Sequence, residues 1–539
     1  MSAIGRTVLA TIKNQGQSPL HSVHAVTRKP VFFSFSPSSD MPAYNPVNHR
    51  DSYATDFESV HFKSKQTTGP EFYDRSNLSR KISLVGVGIA AIFGWFCIFE
   101  GFMIFISKNT ISSGVVVISL KKSWQKELLS LGLNLVVTAC TETIGFVHAI
   151  ALRSALASQQ RLRFNTNLRL LSAASGLFNP NGTLCNIVMA ILLIVSYSSS
   201  LLVALSVDLG SSSGVEDAEL AICVSEVPLI VMGVALLLQA VIALASARSA
   251  DILTWSSSPF DITAALVHHA QIIPEPGQCM RSVGDRARGP VTPSRKQPSA
   301  WRAHSSIARV VITLWILVIL CIVWGIIIVH LSDHSLADAM KSWSFFPQPQ
   351  SHVIAYSIPI AGGVYWYWVL YYINMAAIQG PLTLALHCSE LVVNVIRDEK
   401  VWRNSTTAEG TSVSSHPLAL VFGSTLNVGL LVLKPLLHWM LGLAISLAGT
   451  AEQGYLTAIA ILNYSVALLI FSLSLTAIVL YRPKGPQPAA YGHVQTLANL
   501  IDEWSPTMWW GHKEKGFPFY HAGTSDCRLP KVNMNALYA

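Results

Sequence analysis

The ionisable residues inside apolar stretches of the sequence are the first candidates for chemistry. They are Glu100, Glu142, His148, Lys434 and His438. A charged group in hydrocarbon is costly and needs a partner, so such residues commonly mark proton relays, ion pathways or buried ion pairs. We therefore take them, together with Asn134, as a candidate intramembrane polar site.

The depths of these residues predict two pairings between helices. At 1.5 Å per residue, Glu142 lies about 15 Å from the inner end of its stretch and Lys434 about 12 Å from the inner end of its own. We therefore expect an ion pair between them. Glu100 and Asn134 lie at similar depths, so Glu100 is expected to bond Asn134 or Thr138. The Glu142–Lys434 pair could serve a proton-coupled carrier or hold two helices together, and the second use is favoured. The depth match requires the seventh helix to begin near residue 426 rather than 417.

An aromatic run marks a further candidate site, at Tyr365-Trp366-Tyr367-Trp368 with Tyr371 and Tyr372. Aromatic belts normally lie at membrane interfaces. This run extends from mid-membrane towards the inner leaflet, so its OH and NH groups need internal partners. Tyr365, Trp368 and Tyr372 are the candidate cavity residues, with ordinary packing beside Gly362-Gly363 as the favoured alternative. The nearby motif Tyr197-Ser-Ser-Ser200 could bond across helices or to its own turn.

Eight apolar stretches of the chain position these residues. They cover 81–107, 128–152, 184–205, 227–247, 307–331, 352–377, 426–448 and 455–481. A helix needs about 20 apolar residues to cross about 30 Å of hydrocarbon. Only 12% of the chain is charged and its mean hydropathy is +0.44, against about 25% charged in typical soluble domains. The sequence therefore predicts an all-α, polytopic transmembrane helix bundle of about eight spans.

The distribution of basic residues predicts the orientation of the bundle. With a cytoplasmic N-terminus, the loops between spans carry about 15 Lys and Arg on the inside and about 5 outside. Both termini are then cytoplasmic, in a plasma or vacuolar membrane. The net charge of +8 lies where anionic lipid attracts it, so it does not require a nucleic-acid partner.

Three segments are predicted on the cytoplasmic side of the transmembrane domain, 81–482. Residues 1–80 are rich in Ser and Pro and predict a disordered tail, the loop 248–306 is basic, and 483–539 form a C-terminal tail. Apolar side chains recur at helical spacing in 381–403 and 491–504, which predicts amphipathic helices. The first carries Glu390 on its polar face, ends before Asp398, and lies on the membrane face or extends the sixth helix inward. The C-terminal tail is expected to pack against the inner membrane surface or the other cytoplasmic loops, with Trp509 and Trp510 at headgroup level. Residues 281–302 and 491–513 are candidate contacts for anionic lipids or a cytoplasmic protein, although the loop could serve topology alone.

The sequence argues against an enzyme or a metalloprotein. His493, His512, His521 and Cys527 lack metal-ligand spacing, and no nucleophile, phosphate-loop or paired-acid motif is present. Only Cys223 of the eight cysteines approaches the outer side, so no disulfide framework is expected. We expect no cofactor and no bound metal.

Several phrases of the sequence resemble a family of uncharacterised multi-spanning membrane proteins of filamentous fungi. They are FNTNLRLL at 164–171, NPNGT at 179–183, YSSS at 197–200, TWSSSPFD at 254–261, QPSAWRAH at 297–304, the stretch 485–504 and WWGH at 509–512. The resemblance implies a fungal source and a polytopic fold, but no biochemical role.

Two classes of function remain after these observations. The first is a small-solute or ion transporter that uses the bundle interior around Glu142, Lys434 and His438. Against it, the sequence shows no internal repeat and no matched pair of interrupted helices. The second is a membrane sensor or scaffold that presents the cytoplasmic segments to partner proteins. Transport is the leading expectation.

Overall fold

The helices and strands follow one another along a single chain of mostly helical structure. The computed structural model describes residues 73, 77–107, 115–119, 124–166, 170–208, 220–287, 289–332, 341, 343–346, 353–357, 365–412, 423–447, 453–514, 516 and 518–539. The predicted disordered tail, 1–80, lies outside the described residues except for Tyr73 and 77–80. The elements are α1 Asn77–Ile106, β1 Val115–Ser119, α2 Trp124–Ser158, α3 Thr183–Leu202, β2 Ala204–Asp208, β3 Leu220–Ser225, α4 Glu226–Ser249, α5 Pro259–His268, α6 Ala300–Ala303, α7 Ser305–Leu331, β4 Val353–Ser357, α8 Tyr365–Arg403, β5 Thr411–Ser412, α9 Thr425–Ala444, β6 Ile445–Leu447, β7 Gln453–Thr457, α10 Ala458–Leu480, α11 Val494–Leu500, β8 Thr507–Glu514 and β9 His521–Ser525.

Eight of these helices are long and apolar enough to cross a membrane: α1, α2, α3, α4, α7, α8, α9 and α10. Such a helix satisfies its backbone hydrogen bonds internally, as a segment in lipid must. The helices α1 and α4 pack closely, because the α1 backbone at Gly94 lies against Gly233 of α4. The helices α1 and α7 bury only 22% and 28% of the residues in their apolar windows, the lowest shares among the eight helices, as helices that face lipid do.

Two small antiparallel sheets make the predicted all-α class incomplete. Their strand orders are β1-β3-β2 and β4-β7-β6, and β2 contacts β6. All six strands belong to the connections after the first, third, fifth and seventh spans, so they share one end of the bundle. The predicted spans 184–205, 426–448 and 455–481 were too long at this end. Residues 204–205, 445–447 and 455–457 pair as strands instead, for example Leu205 with Cys223.

The sixth span differs most from its predicted bounds of 352–377. Residues 353–357 form β4, and α8 continues through Pro381 to Arg403, over 39 residues. The amphipathic segment 381–403 is thus a continuation of the span beyond residue 377, which corresponds to one of the two predicted arrangements. The predicted end of its buried face before Asp398 is wrong. Asp398 and Glu399 are buried because Arg397 and Arg403 lie 2.8 and 2.7 Å from them.

The connections at the other end of the bundle pack into one folded part, which we call the extramembrane domain. It comprises 250–304, the end of α8 with residues 404–412, and 481–539. Its core contains Tyr73, Phe260, Ala264, Ala265, Cys279, Met280, Trp402, Ala490, Leu497, Leu500, Ile501, Trp504, Met508, Trp510, Ala522, Val532, Ala536 and Tyr538. A third sheet, ordered β5-β8-β9, completes it. The tail therefore packs against the other loops, as one of the two predicted arrangements required.

Two details of the tail differ from the sequence predictions. The amphipathic helix predicted over 491–504 is shorter, since α11 covers only seven residues. Trp510, expected at lipid headgroup level with Trp509, is 4% exposed in the domain core. The reason is that β8 alternates its side chains, so pairing with β9 turns Trp510 inwards and leaves Trp509 at the edge beside Gly410.

Candidate functional site

Lys434 is the centre of the candidate site. It lies nine residues from the first residue of α9 and ten from the last, or about 15 Å along the axis from each end. Its side chain is 2% exposed. The helix begins at Thr425 rather than near residue 417, so the condition for the predicted depth match holds. A lysine at mid-span with so little exposure requires negative partners.

Two carboxylates supply the partners of Lys434. Its Nζ lies 2.5 Å from Glu142 Oε1 of α2, so the expected contact between these two residues is present. Nζ also donates a hydrogen bond to Glu390 Oε1 of α8. Glu390 was not among the predicted site residues, because 381–403 was predicted as a cytoplasmic helix with Glu390 on its polar face. The ion pairs therefore connect three spans rather than two.

His387 completes the charged cluster, one turn before Glu390 on α8. Its Nδ1 lies 2.9 Å from Glu390 Oε1 and 3.7 Å from Glu142 Oε1. With His387 neutral, one lysine and two carboxylates give a net charge of −1, and a proton on the imidazole or on a carboxylate brings it to zero.

The exposure of the cluster is uneven. The side chains of Glu142 and Glu390 are 27% and 26% exposed, whereas those of His387 and Lys434 are 3% and 2% exposed. The two carboxylates are thus partly exposed, whereas Lys434 and His387 are buried.

A layer of uncharged polar groups lies beside the cluster. The ring of His438 stacks on Tyr197 of α3, with centroids 3.9 Å apart and planes at 17°. Its Nδ1 lies 3.0 Å from Gln379 Nε2. Tyr197 donates a hydrogen bond to Thr138 Oγ1 at 3.1 Å, and its centroid lies 5.9 Å from that of His387. His438 is thus joined to the cluster through aromatic contacts rather than through an ion pair.

The expected bond between Glu100 and Asn134 or Thr138 is wrong for these described residues. Asn134 Oδ1 accepts a hydrogen bond from Ser200 at 3.0 Å, and its Nδ2 donates to Ser130 O at 2.9 Å. The two side chains share a depth, but Asn134 lies on the face of α2 that packs against α3. Equal depth fixes height along the membrane normal and not the direction in which a residue faces.

His148 lies farther along α2. It is fully buried, about 9 Å along the helix axis from Glu142. His148 therefore remains a candidate polar residue, and its interaction with the cluster stays a prediction.

The aromatic candidates on α8 whose side chains the structure describes pack into the bundle. Trp368 is 5% exposed in the main apolar core. Tyr372 OH lies 2.9 Å from Ser199 Oγ, so the serine motif bonds across helices. The side chain of Tyr365 lies outside the described residues. Trp368 and Tyr372 line neither of the two clefts described below, and the ligand cavity stays a prediction.

A metal ion does not suit the cluster in its present arrangement. Glu142, His387 and Glu390 offer ligand atoms that lie within 4.8 Å of one another. However, the ammonium group of Lys434 already bonds both carboxylates. A divalent cation would have to displace that charge, so the arrangement is an ion-pair centre.

A second polar network, not foreseen from the sequence, joins α2 to the extramembrane domain. Arg153 donates to Asn165 Oδ1 at 2.8 Å and to the carbonyl oxygens of Thr254 and Ser256. Asn165 in turn donates to Asp398 Oδ2 at 2.9 Å. These bonds bring together two of the quoted sequence phrases, 164–171 and 254–261, and give both a structural role.

The C-terminal hairpin carries a third charged group, formed by Asp502, Lys513 and His521. Lys513 Nζ and His521 Nε2 lie 3.0 and 3.2 Å from Asp502 Oδ2. Burial alone would raise the pKa of Asp502, but the hydrogen bond from His521 and the charge of Lys513 outweigh it and lower that pKa to about 2. Burial would lower the pKa of His521, but its contacts with Asp502 and Cys279 raise it to about 10. The network holds β8 and β9 to the preceding loop.

Two clefts open on the extramembrane domain. The larger, of about 370 Å³, is lined by Met280, Ser282, Val283, Gly284, Asp285, Val291, Thr292, Ser294, Lys296, Gln297, Pro298, Arg302 and Arg482. The smaller, of about 180 Å³, lies between the end of α2 and α11. The larger combines volume with several cationic side chains.

Comparisons with protein-family models, with curated proteins and with solved structures find no match to this chain. The resemblance to fungal multi-spanning membrane proteins therefore stays a prediction from the quoted phrases. Eight apolar helices are compatible with a multi-pass membrane protein, and any finer function has to be argued from the charged cluster and the extramembrane domain.

Proposed function

We propose that this multi-pass protein is a small-solute or ion carrier in which Glu142, His387, Glu390 and Lys434 bind the coupling proton. The observation that carries the proposal is the ionisable cluster at the midpoint of α9, with two partly exposed carboxylates paired with a buried lysine. Ionisable groups at this depth are costly, and carriers use such groups as proton relays.

The charges of the cluster indicate how a proton would act. Without it, both carboxylates hold Lys434 and so tie α2 and α8 to α9. Protonation of Glu390 removes one of the two negative partners and weakens the tie to α8, while Glu142 still neutralises the lysine. A carrier needs such a choice between two helix arrangements, each stable in one protonation state.

Charge displacement after a pH jump tests this proposal without a known solute. Proteoliposomes adsorbed on a solid-supported membrane are exposed to a rapid change in external pH. We expect the wild type to give a transient current from protons entering the cluster. The triple variant Glu142→Gln/Glu390→Gln/Lys434→Gln is expected to give a much smaller current, and the remainder comes from His387 and from titratable groups outside the cluster. Glu409→Gln, which removes an exposed carboxylate from the extramembrane domain, should retain the wild-type current. A wild-type current no larger than that of the triple variant refutes proton binding.

A scaffold or sensor is the second candidate, and the extramembrane domain favours it. Three separate cytoplasmic segments build one core there, which suits a surface for partner proteins. The two functions differ in the pH-jump experiment, since a scaffold whose ion pairs stay closed takes up no proton in the cluster and gives the same current as the triple variant. We place both termini in the cytoplasm, in a plasma or vacuolar membrane, from the distribution of Lys and Arg.

A further inference from the structure

The larger cleft is a built feature of the extramembrane domain, because three segments of the chain are hydrogen-bonded around it. Val283 N–H donates to Ala489 O at 2.8 Å, and Gln297 N–H donates to Pro483 O at 2.9 Å. Ser282 Oγ donates to Gln297 Oε1 at 2.7 Å. The floor of the cleft is thus fixed by backbone contacts. Its volume of about 370 Å³ falls within the range of small-molecule sites, roughly 300–1,000 Å³.

The charge of the cleft is strongly positive. Lys296, Arg302 and Arg482 line it, all three are exposed, and among the described residues no carboxylate forms an ion pair with them. The one acidic residue of the lining, Asp285, is already bound by Arg281 at 2.8 Å. The cleft therefore offers three cations that have no protein partner within the described chain.

The cleft also lies at a defined height relative to the bundle. Arg302 precedes the first residue of α7 by three positions, and Arg482 follows the last residue of α10 by two. The two helices pack together, with Trp315 Nε1 donating to Thr476 Oγ1 at 3.1 Å. Both arginines thus lie just beyond the same ends of two neighbouring spans, where lipid headgroups lie.

We propose that this cleft binds the phosphate of a membrane lipid headgroup, with Arg302 and Arg482 as the main ligands and Lys296 as the third cation. Guanidinium groups bind phosphate oxygens in pairs of parallel hydrogen bonds. A phosphate monoester on the headgroup suits three cations better than the single charge of a phosphodiester. A soluble phosphate ester has the same chemistry, but the position beside two span ends favours the lipid. The site is independent of proton binding at Lys434.

Binding of a fluorescent short-chain phosphatidylinositol 4-phosphate to the purified full-length protein tests the proposal. We expect Arg302→Gln/Arg482→Gln to weaken binding about tenfold or more, because it removes two charge-assisted contacts. The matched control Arg528→Gln/Lys531→Gln removes two exposed cations outside the cleft and should bind as the wild type does. Equal affinity of the two double variants would overturn the assignment.

Two further arms distinguish the source of the phosphate. Short-chain phosphatidylserine, which lacks the monoester, is expected to compete poorly. Inositol 1,4-bisphosphate carries the headgroup without acyl chains and should compete less well than the lipid. Stronger binding of inositol 1,4-bisphosphate than of the lipid would overturn the lipid source. Both arginines are exposed and without ion pairs among the described residues, so we expect the variants to melt as the wild type does. Lys296→Gln provides a single-site check in which binding weakens by a smaller factor.

Discussion

Replacement of Lys434 by methionine is the sharpest test of the charged cluster. Methionine keeps much of the length of the lysine stem but removes the charge. The variant leaves Glu142 and Glu390 facing each other without a cation, beside a His387 that lies 2.9 Å from Glu390. Glu390→Gln, in contrast, leaves one lysine paired with one carboxylate at 2.5 Å. The two substitutions thus remove one partner each but leave very different residual charges.

The magnitudes follow from this asymmetry. Removal of one partner from a buried ion pair costs about 3–5 kcal/mol, because an uncompensated charge stays behind. Lys434 is 2% exposed but the carboxylates are about a quarter exposed, so we expect the lower end, about 3 kcal/mol, for Lys434→Met. Glu390→Gln should cost about 1 kcal/mol, the order of one hydrogen bond. Lys434→Met/Glu142→Gln/Glu390→Gln removes all three charges and should recover most of the loss.

Unfolding in mixed micelles of increasing dodecyl sulfate content, followed by tryptophan fluorescence, measures these differences. Glu409→Gln is the control for the loss of a carboxylate. The reasoning is refuted if Lys434→Met destabilises the protein no more than Glu390→Gln does. It also fails if the triple variant is less stable than Lys434→Met alone, since the cost is then one of shape rather than of charge.

Three further predictions concern the rest of the fold. Because the pKa of Asp502 is lowered to about 2, its charged form stabilises the fold above pH 3.8, and this stability is lost as the pH falls through 2. Because the pKa of His521 is raised to about 10, its charged form stabilises the fold below pH 6.5, and this stability is lost as the pH rises through 10. Thermal midpoints should therefore be highest at about pH 4–6.5, and Asp502→Asn should reduce the pH dependence of the midpoint on both sides of this range. Gly233→Ala should cost about 1–3 kcal/mol in micelle unfolding, since its Cβ would meet the α1 backbone at 2.4 Å, whereas Gly88→Ala meets nothing within 4 Å and should be silent. Exposed Cys527 should react with an impermeant maleimide in permeabilised cells only, with Cys527→Ser as the control; labelling of intact cells that the Cys527→Ser substitution abolishes contradicts the cytoplasmic placement.

The spans could be predicted from the sequence and their ends could not. An apolar run of 20 residues has few alternatives to a membrane helix. The residues that become β2 or β6 have the same apolar composition as the helices beside them, so only pairing with β3 or β7 distinguishes them. That pairing joins segments far apart in the chain, which a local pattern does not show.

Two of the four residues of the charged cluster, Glu142 and Lys434, could also be predicted from the sequence. Depth along two helices predicted the contact between Glu142 and Lys434. Glu390 and His387 were missed because the sixth span was predicted to end at residue 377, which placed 381–403 on the cytoplasmic side of the membrane. In a membrane helix, proline is tolerated where neighbouring groups satisfy the freed carbonyl, and α8 runs through Pro381. A membrane helix that continues past its proline thus carried the missing partners into the bundle.

The continuity of α8 links the cluster to the extramembrane domain. Glu399 follows Glu390 by nine positions of uninterrupted helix, about 14 Å along the axis. Glu399 accepts the backbone N–H groups of Ala490 and Tyr491 at 2.9 and 2.8 Å. A displacement of Glu390 along the helix axis therefore also displaces the acceptor of these two amides.

Amide hydrogen exchange tests this coupling. In the wild type, protonation of the cluster should weaken the tie to Lys434, shift α8 and reduce the protection of Ala490 and Tyr491. Glu390→Gln mimics the protonated residue, so its protection at these amides should already be low and should change little with pH. The protection factors, corrected for intrinsic exchange rates, are compared at two pH values, one above and one below the pH at which the cluster takes up its proton in the pH-jump experiment. If the wild type and the variant show the same change, α8 does not carry the state of the cluster to the extramembrane domain.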